Sequence, residues 1–433
     1  MKIEKYFTTY SITAGFLIAS LGSIFIYLEW LFAPNSLIET IFAILFLYLL
    51  MQADKRVWFW TGFFISFLWF WWIMMSFIHY DLVWAIPLGL LFVSTVYGFI
   101  FWSIAALAGW LGVKALLFYN FVAKKSTHDP SVIITLLLQA IGLLTLSYIH
   151  PLSFDWFKIE LIFVHSYIGV QKWQLAIVLL SIVLASYRKN ILFLFFILLA
   201  YSPNKTIVST DNPDSHIALS NMKTSVEDKW NPKLISKHIA EVYSNIDKAI
   251  MKKKTMIILP ESVFPFFLNK ERKILDVLLE KSNKITIIIG ALYLDGTVHR
   301  NSTYILDKGR YQIANKVLLV PFGESNPLPE WASQWVNKVF FDGATDYIAS
   351  AKPTDFEVNG IIYRNAICYE ATSDKLYKGN PKHMIVTSNN GWFDPSVEPS
   401  LQKLLLEFYS RKHGTTIYHS VNMSASYEIK QVE

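Results

Sequence analysis

Seven apolar runs, each almost free of charge, fill the first 202 residues and constrain this chain more than any other feature. A helix needs about 20 mostly apolar residues to cross the hydrocarbon core of a bilayer. Runs near 8–28, 36–53, 57–79, 83–112, 131–149, 170–187 and 190–202 therefore predict a multi-pass α-helical membrane domain over residues 1–202. The fourth run is long enough to tilt or bend, with Pro87 as a kink point, and the last is short. Lys2 and Lys5 ahead of the first run imitate a signal peptide, but apolar runs keep coming, so the first is read as an inserted helix.

Charge divides the chain the same way. Residues 1–202 carry 11 of its 39 Lys and Arg residues and 8 of its 33 Asp and Glu residues, so two regions suited to different solvents share 433 residues. Lys and Arg collect in cytoplasmic loops of membrane proteins. Here they alternate from break to break: Lys2 and Lys5, then Lys55 and Arg56, then Lys114, Lys124 and Lys125, then Arg188 and Lys189. The opposite breaks, near Glu29, near His79 to Asp81, and from His150 to Gln171, hold only Lys158, with Lys172 at the edge. A cytoplasmic N-terminus and seven crossings place everything after Tyr201 on the outer side of the membrane. Acidic residues are nearly absent from the run centres, which weighs against an ion-coupled transporter. Trp58, Trp60, Trp69, Trp71 and Trp72 fit either a lipid pocket or interfacial anchoring and packing. His165 reads as a functional, solvated or packed histidine.

The second half is soluble in character. Its cations are nearly matched by acids and form no stripe, so the formal charge of +6 is no sign of nucleic acid. The single cysteine, Cys368, excludes an intramolecular disulfide and every multi-cysteine metal site; no metal and no cofactor is expected. Turn formers in 203–215 read as a linker, and 216–433 as a separate domain in which strands and helices alternate. Strands are expected at 216–222, 255–260, 285–294, 383–389 and 415–422, with helices at 232–252, 269–282 and 400–413. Hairpins are expected about Lys308-Gly309, where the second strand runs on through 311–320, and about Asn359-Gly360.

Three polar residues stand where apolar strands end: Glu261 in LPES, Lys316 before VLLVPFGE, and Cys368 in ICYE. Taken singly, each also reads as ordinary: a turn carboxylate, a surface lysine, a small core thiol. Together, in this order, they resemble the Glu-Lys-Cys combination of the nitrilase (carbon-nitrogen hydrolase) superfamily. With the apolar half in front, the pairing resembles the apolipoprotein N-acyltransferase family over nearly the whole chain. Trp230 in KWNPK, VPFGESNPL at 320–328, Tyr369 and Glu370 after the cysteine, and SNNGWF at 388–393 stand in that family's order.

The resemblance implies an α-β-β-α sandwich on the periplasmic face of the bacterial inner membrane. It also implies transfer of a fatty acyl chain from a phospholipid such as phosphatidylethanolamine, through a cysteine thioester, to the α-amino group of a diacylglyceryl-cysteine on an apolipoprotein. In that chemistry Glu261 is the base, Lys316 stabilises the oxyanion, and Cys368 is the nucleophile. Glu324 matches a second glutamate that orients Lys316 or the proton transfers. Trp230, Tyr369 and Glu370 are expected to shape the mouth of the site and hold substrate, with packing the competing role for Trp230 and Tyr369. Phe264, Phe266, Phe267 and Leu268 suit an acyl cleft, a lid or the core. The family commonly ends in an eighth membrane helix, whereas this chain ends in SASYEIKQVE and retains only Asn422 where paired asparagines are usual, so a periplasmic C-terminus is expected. A membrane-anchored amidase with the same triad and a scaffold with a silent triad are the competing readings.

Overall fold

The computed structural model describes residues 6–122, 131–210, 215–321, 323–326 and 347–432. It divides into two compact units, Met1–Pro151 with Phe157–Asn204, and Leu152–Trp156 with Lys205–Glu433.

The first unit is helical: α1 (Thr9–Leu21), α2 (Ile24–Leu31), α3 (Ser36–Gln52), α4 (Lys55–Phe70), α5 (Ile86–Val122), α6 (Ser131–Leu146) and α7 (Lys172–Arg188), then a 3₁₀ segment over Ile191–Ala200. Side chains open several of these helices. Thr8, Asn35 and Asp54 accept from the first-turn N–H groups of α1, α3 and α4, which would otherwise lack partners. Packing between helices is close. A Cβ on Gly62 in α4 would lie 2.6 Å from the Tyr97 carbonyl of α5, so a larger residue would force the two apart. Trp58 and Trp69 are fully buried and Trp72 nearly so, which makes packing their role. His165 is buried too, its Nδ1 3.4 Å from Glu39 Oε1.

Each expected apolar run contains helix, but the lengths differ. Lys55–His79 and Val83–Leu117 are each long and apolar enough to cross a membrane, and α1 and α2 reach that length together across a 53° bend. At 1.5 Å per residue, 17-residue α3 and α7 extend about 25 Å, a little short of a core of about 30 Å. Lys2, Lys5, Lys124 and Lys125 lie outside the described residues.

The second unit contains β1 (Thr206–Ser209), β2 (Ile217–Leu219), β3 (Asn221–Met222), α8 (Val226–Lys229), α9 (Ile235–Met251), β4 (Met256–Ile258), α10 (Arg272–Lys281), β5 (Thr286–Asp295), β6 (Val298–Asp307), β7 (Arg310–Asn315), β8 (Asp355–Val358), β9 (Ile361–Ile367), β10 (His383–Asn389), α11 (Glu398–His413), β11 (Thr416–Asn422) and β12 (Tyr427–Gln431). They form two mixed sheets, ordered β2-β4-β5-β6-β7 and β1-β12-β11-β10-β9-β8, with β3 added to β11.

Strand alternation sorts the core into layers. In β4, Met256 and Ile258 face a cluster with Ile288, Ile305, Phe356, Tyr363 and Ile385, drawn from both sheets. Ile257, with Ile287 and Ile289 of β5, faces Val242 and Ile246 of α9 and Leu275 and Leu278 of α10. The buried flank of α11, including Leu401, Leu405 and Phe408, covers the second sheet. The result is the α-β-β-α sandwich.

Two expectations change. Thr206–Ser209, read as linker, is an edge strand, and the polar tail supplies its partner, with Thr206 opposite Gln431 and Ser209 opposite Glu428. Residues 317–320, read as a continuation of β7, leave the sheet after Asn315.

Candidate functional site

Three strand ends carry the site. β4 and β5 run parallel while β6 is antiparallel to both β5 and β7, so β4 and β7 point the same way and their ends meet one edge. Beyond β4, Pro260 leads to Glu261. A Cβ on Gly290 of β5 would stand 2.5 Å from Glu261 Cα, so only glycine lets this turn lie against the sheet. Gly290 and the turn also exchange backbone hydrogen bonds, Gly290 N to Pro260 O at 3.2 Å and Val263 N to Gly290 O at 3.0 Å. Lys316 directly follows β7. Cys368 directly follows β9 and adopts φ +51, a left-handed conformation that costs a non-glycine residue energy and recurs at functional turns.

Lys316 is 1% exposed and lies between two carboxylates, with Nζ 3.4 Å from Glu261 Oε1 and 2.8 Å from Glu324 Oε2. Asn301 of β6 donates through Nδ2 to both glutamates, at 2.8 Å to Glu261 and 2.6 Å to Glu324. Glu324 is fixed in turn by the Val320 N–H at 2.8 Å. Phe322, Pro327 and Leu328 of the 320–328 motif lie outside the described residues.

The charges follow from this packing. Burial works to strip the proton from Lys316, but Glu324 and Glu261 outweigh it and hold the ammonium well above the usual lysine range. Cys368 is pushed upward by burial and by Glu261, more than Lys316 pulls it down, so the resting group is the thiol. Gln402 Nε2 reaches Cys368 Sγ at 3.8 Å.

Glu370 differs from expectation, and Tyr369 takes the packing role. Glu370 is 1% exposed rather than at a mouth, and its carboxylate accepts the N–H groups of Ile367, Val317 and Leu318. It ties the segment after Lys316 to the strand before Cys368, and burial raises its carboxyl to about 7 against the pull of Lys316. Tyr369 is also buried. Its ring stacks with Phe154 and Trp156, while its hydroxyl accepts from Asp155 N and donates to Ser153 O, so it holds the 152–156 segment within this unit. Trp230, by contrast, is half-exposed at the end of α8. Phe264 and Leu268 belong to the core, and Phe266 packs against it.

Four residues near the site escaped the sequence reading: Asn301, Gln402, Lys229 and Glu398. Asn301 sits in the polar stretch HRNST of β6, which reads as exposed although the strand is buried from Asn301 onward. Burial, followed by the charge of Glu261, raises Glu398 to about 8, and its Oε2 has no hydrogen-bond partner among the described residues. Lys229 and Glu398 left no signal, because charged residues at the start or end of a helix read as solvated.

Two layered mixed sheets with a cysteine, a lysine and a glutamate at their strand ends, in a chain with a helical apolar half, define a membrane-bound member of the nitrilase-like fold class. Residues 9–204 match the family described as the apolipoprotein N-acyltransferase integral membrane domain. The apolipoprotein N-acyltransferase of Wolinella succinogenes is 38% identical over 411 residues, covering 94% of this chain and 93% of that protein. That of Helicobacter hepaticus is 34% identical over 388 residues, covering 87% and 89%. A solved carbon-nitrogen hydrolase superfamily protein from Xanthomonas campestris aligns with 48% of this chain and 75% of its own at 13% identity and a TM-score of 0.35. The chain belongs to the apolipoprotein N-acyltransferase family.

Proposed function

We propose that this protein acylates lipoproteins: it takes a fatty acyl chain from a membrane phospholipid, with phosphatidylethanolamine as donor, holds it as a thioester on Cys368, and passes it to the α-amino group of a diacylglyceryl-cysteine. The observation that carries the mechanism is the buried Lys316 ammonium, 3.4 Å from Glu261 and 2.8 Å from Glu324, whose charge and that of Glu261 both act on the Cys368 thiol.

Because the resting sulfur is protonated, attack on the ester needs a base at the moment of reaction. Glu261 takes the thiol proton as sulfur bonds to the carbonyl carbon, then gives it to the departing glycerol oxygen. Lys316, kept charged by its carboxylates, stabilises the oxyanion together with backbone N–H groups beside Cys368. In the second half-reaction the acceptor amine attacks the thioester and sulfur leaves as the thiol. Donor and acceptor use one site in turn, which makes the kinetics ping-pong. Glu324 and Asn301 orient Lys316 and Glu261, and Glu370 holds the lysine and cysteine segments together.

The cation pattern supports a cytoplasmic N-terminus, seven crossings of the bacterial inner membrane and a periplasmic catalytic domain. Donor and acceptor each carry hydrocarbon chains worth about 0.8 kcal/mol per buried CH₂, so a membrane-bound catalyst avoids extracting either into water. The test uses the detergent-purified chain with phosphatidylethanolamine labelled in its acyl chain and a diacylated lipopeptide. Label should appear in an amide on the lipopeptide with the native chain and not with Cys368→Ala. Release of labelled fatty acid without amide in the native chain would contradict the transfer.

A further inference from the structure

Glu261 has a second side. Its hydrogen bond from Asn301 and its ion pair with Lys316 both fall on Oε1, leaving Oε2 with no protein donor among the described residues. Glu261 also lines a cavity of about 10 Å³, the lower bound for holding one water. Lys229 lines the same cavity, with Thr224 and Asn422 as neutral neighbours. Lys229 is 7% exposed, and its ammonium has no hydrogen-bond acceptor or ion-pair partner among the described residues. A lysine buried without a partner is expensive unless it gives up its proton. Burial brings this one down to about 8, the charge of Glu261 opposing the shift. Among the described residues, Glu261 is the one ionisable group whose charge bears on it appreciably.

The proposed reaction leaves a proton to dispose of. In the acylation half, the thiol proton leaves with the glycerol oxygen, so Glu261 ends as it began. In the second half the acceptor arrives as an ammonium. The N–C bond forms, the C–S bond breaks, and nitrogen loses two protons; one ends on sulfur, and the other is surplus. Glu261 can relay one and would stay protonated by the other, unfit for the next acylation.

We propose that Lys229 is the proton exit of the aminolysis half-reaction, clearing Glu261 through the water-sized cavity that both residues line. This rests on the acyl-transfer reading. Protonating Glu261 removes the attraction that keeps Lys229 charged; Lys229 then sheds its own proton to solvent and takes that of Glu261, which resets the base. Lys229 does not touch the reacting atoms and acts only through Glu261, so it is a positioning residue for that carboxylate's proton.

The experiment uses the full-length detergent-purified protein, preloaded with acyl chain from phosphatidylethanolamine. Discharge is followed by intact mass with a diacylated lipopeptide, whose amine is cationic at neutral pH, and with hydroxylamine, which is uncharged there. Lys229→Met and Lys229→Arg, the latter keeping the charge but unable to release a proton, should slow lipopeptide discharge at pH 7 by roughly tenfold or more. Hydroxylamine discharge should stay within about twofold. The lipopeptide defect should also fade by about pH 9.5, because an α-amino group of pKa about 8 then arrives uncharged and brings no surplus proton. Equal slowing with both nucleophiles at every pH, or no slowing, overturns the relay. A native chain that never acylates Cys368 defeats the acyl-transfer reading and the relay with it, and that failure is recognisable because it needs no variant.

Discussion

The two sides of Glu261 bury the same functional group in different company. On one side, Lys316 has two carboxylates, at 2.8 and 3.4 Å, and stays charged although it is 1% exposed. On the other, Lys229 is 7% exposed, feels Glu261 without pairing to it, and falls to about 8. Burial depresses both lysines, and close anionic partners decide whether it prevails. One carboxylate thus serves a fixed charge and a releasable one, which suits oxyanion stabilisation on the first side and proton traffic on the second.

Breaking the first side has the largest effect. Lys316→Met removes the oxyanion cation and leaves Glu261 and Glu324 buried around an uncharged chain. Acyl-enzyme formation should fall by about 10³-fold or more, and stability by about 3–5 kcal/mol, read by intact mass and thermal unfolding. Glu324→Gln is milder and sharpens the contrast, because it leaves Lys316 with Glu261 as its one close carboxylate. Activity should drop about 10²-fold, and the loss should deepen toward alkaline pH, where a less firmly held Lys316 gives up its charge; a pH-rate profile parallel to that of the native chain would contradict this.

Lys229 should show the opposite sign in stability. Its pKa falls from 10.5 to about 8 on folding, so the unfolded chain binds the extra proton between those values and stability rises with pH across that window. Below about pH 8 the full cost is present. Lys229→Met should therefore stabilise the protein by about 1–3 kcal/mol at neutral pH and flatten the pH dependence between 8 and 10.5, in denaturation series at several pH values. The smallest effect is expected from Gly290→Ala. Its Cβ would stand 2.5 Å from Glu261 Cα, so the base must shift, at a cost of about 1–2 kcal/mol and a loss of acylation near tenfold.

Much of this architecture was legible because apolar runs report burial. The unbroken runs TMIIL and ITIIIGALYL marked strands buried on both faces, and Glu261, Lys316 and Cys368 stood out as polar residues directly after the ends of strands. The edge strands β1 and β12 were not legible. Four or five residues with partial burial carry little pattern, and their pairing joins positions more than 200 residues apart. Glu370 was found by motif but given the wrong surroundings, since a carboxylate satisfied by backbone N–H groups looks the same in sequence as one facing a substrate. Lys229 lies in SVEDKW beside two acids and reads as a solvated helix end; only the fold brings it to a cavity that Glu261 also lines. In the helical half, apolar runs located helices, yet a run's length does not say where a helix breaks, as the bend between α1 and α2 shows.

The most direct test of the account is the intact mass of the native chain and of Cys368→Ala after incubation with phosphatidylethanolamine, followed by peptide mapping. The account requires an acyl-sized gain in the native chain, located on Cys368, absent from the variant and discharged by a diacylated lipopeptide. An acyl group mapped to any other residue, or amide product formed by the variant at the native rate, would contradict it.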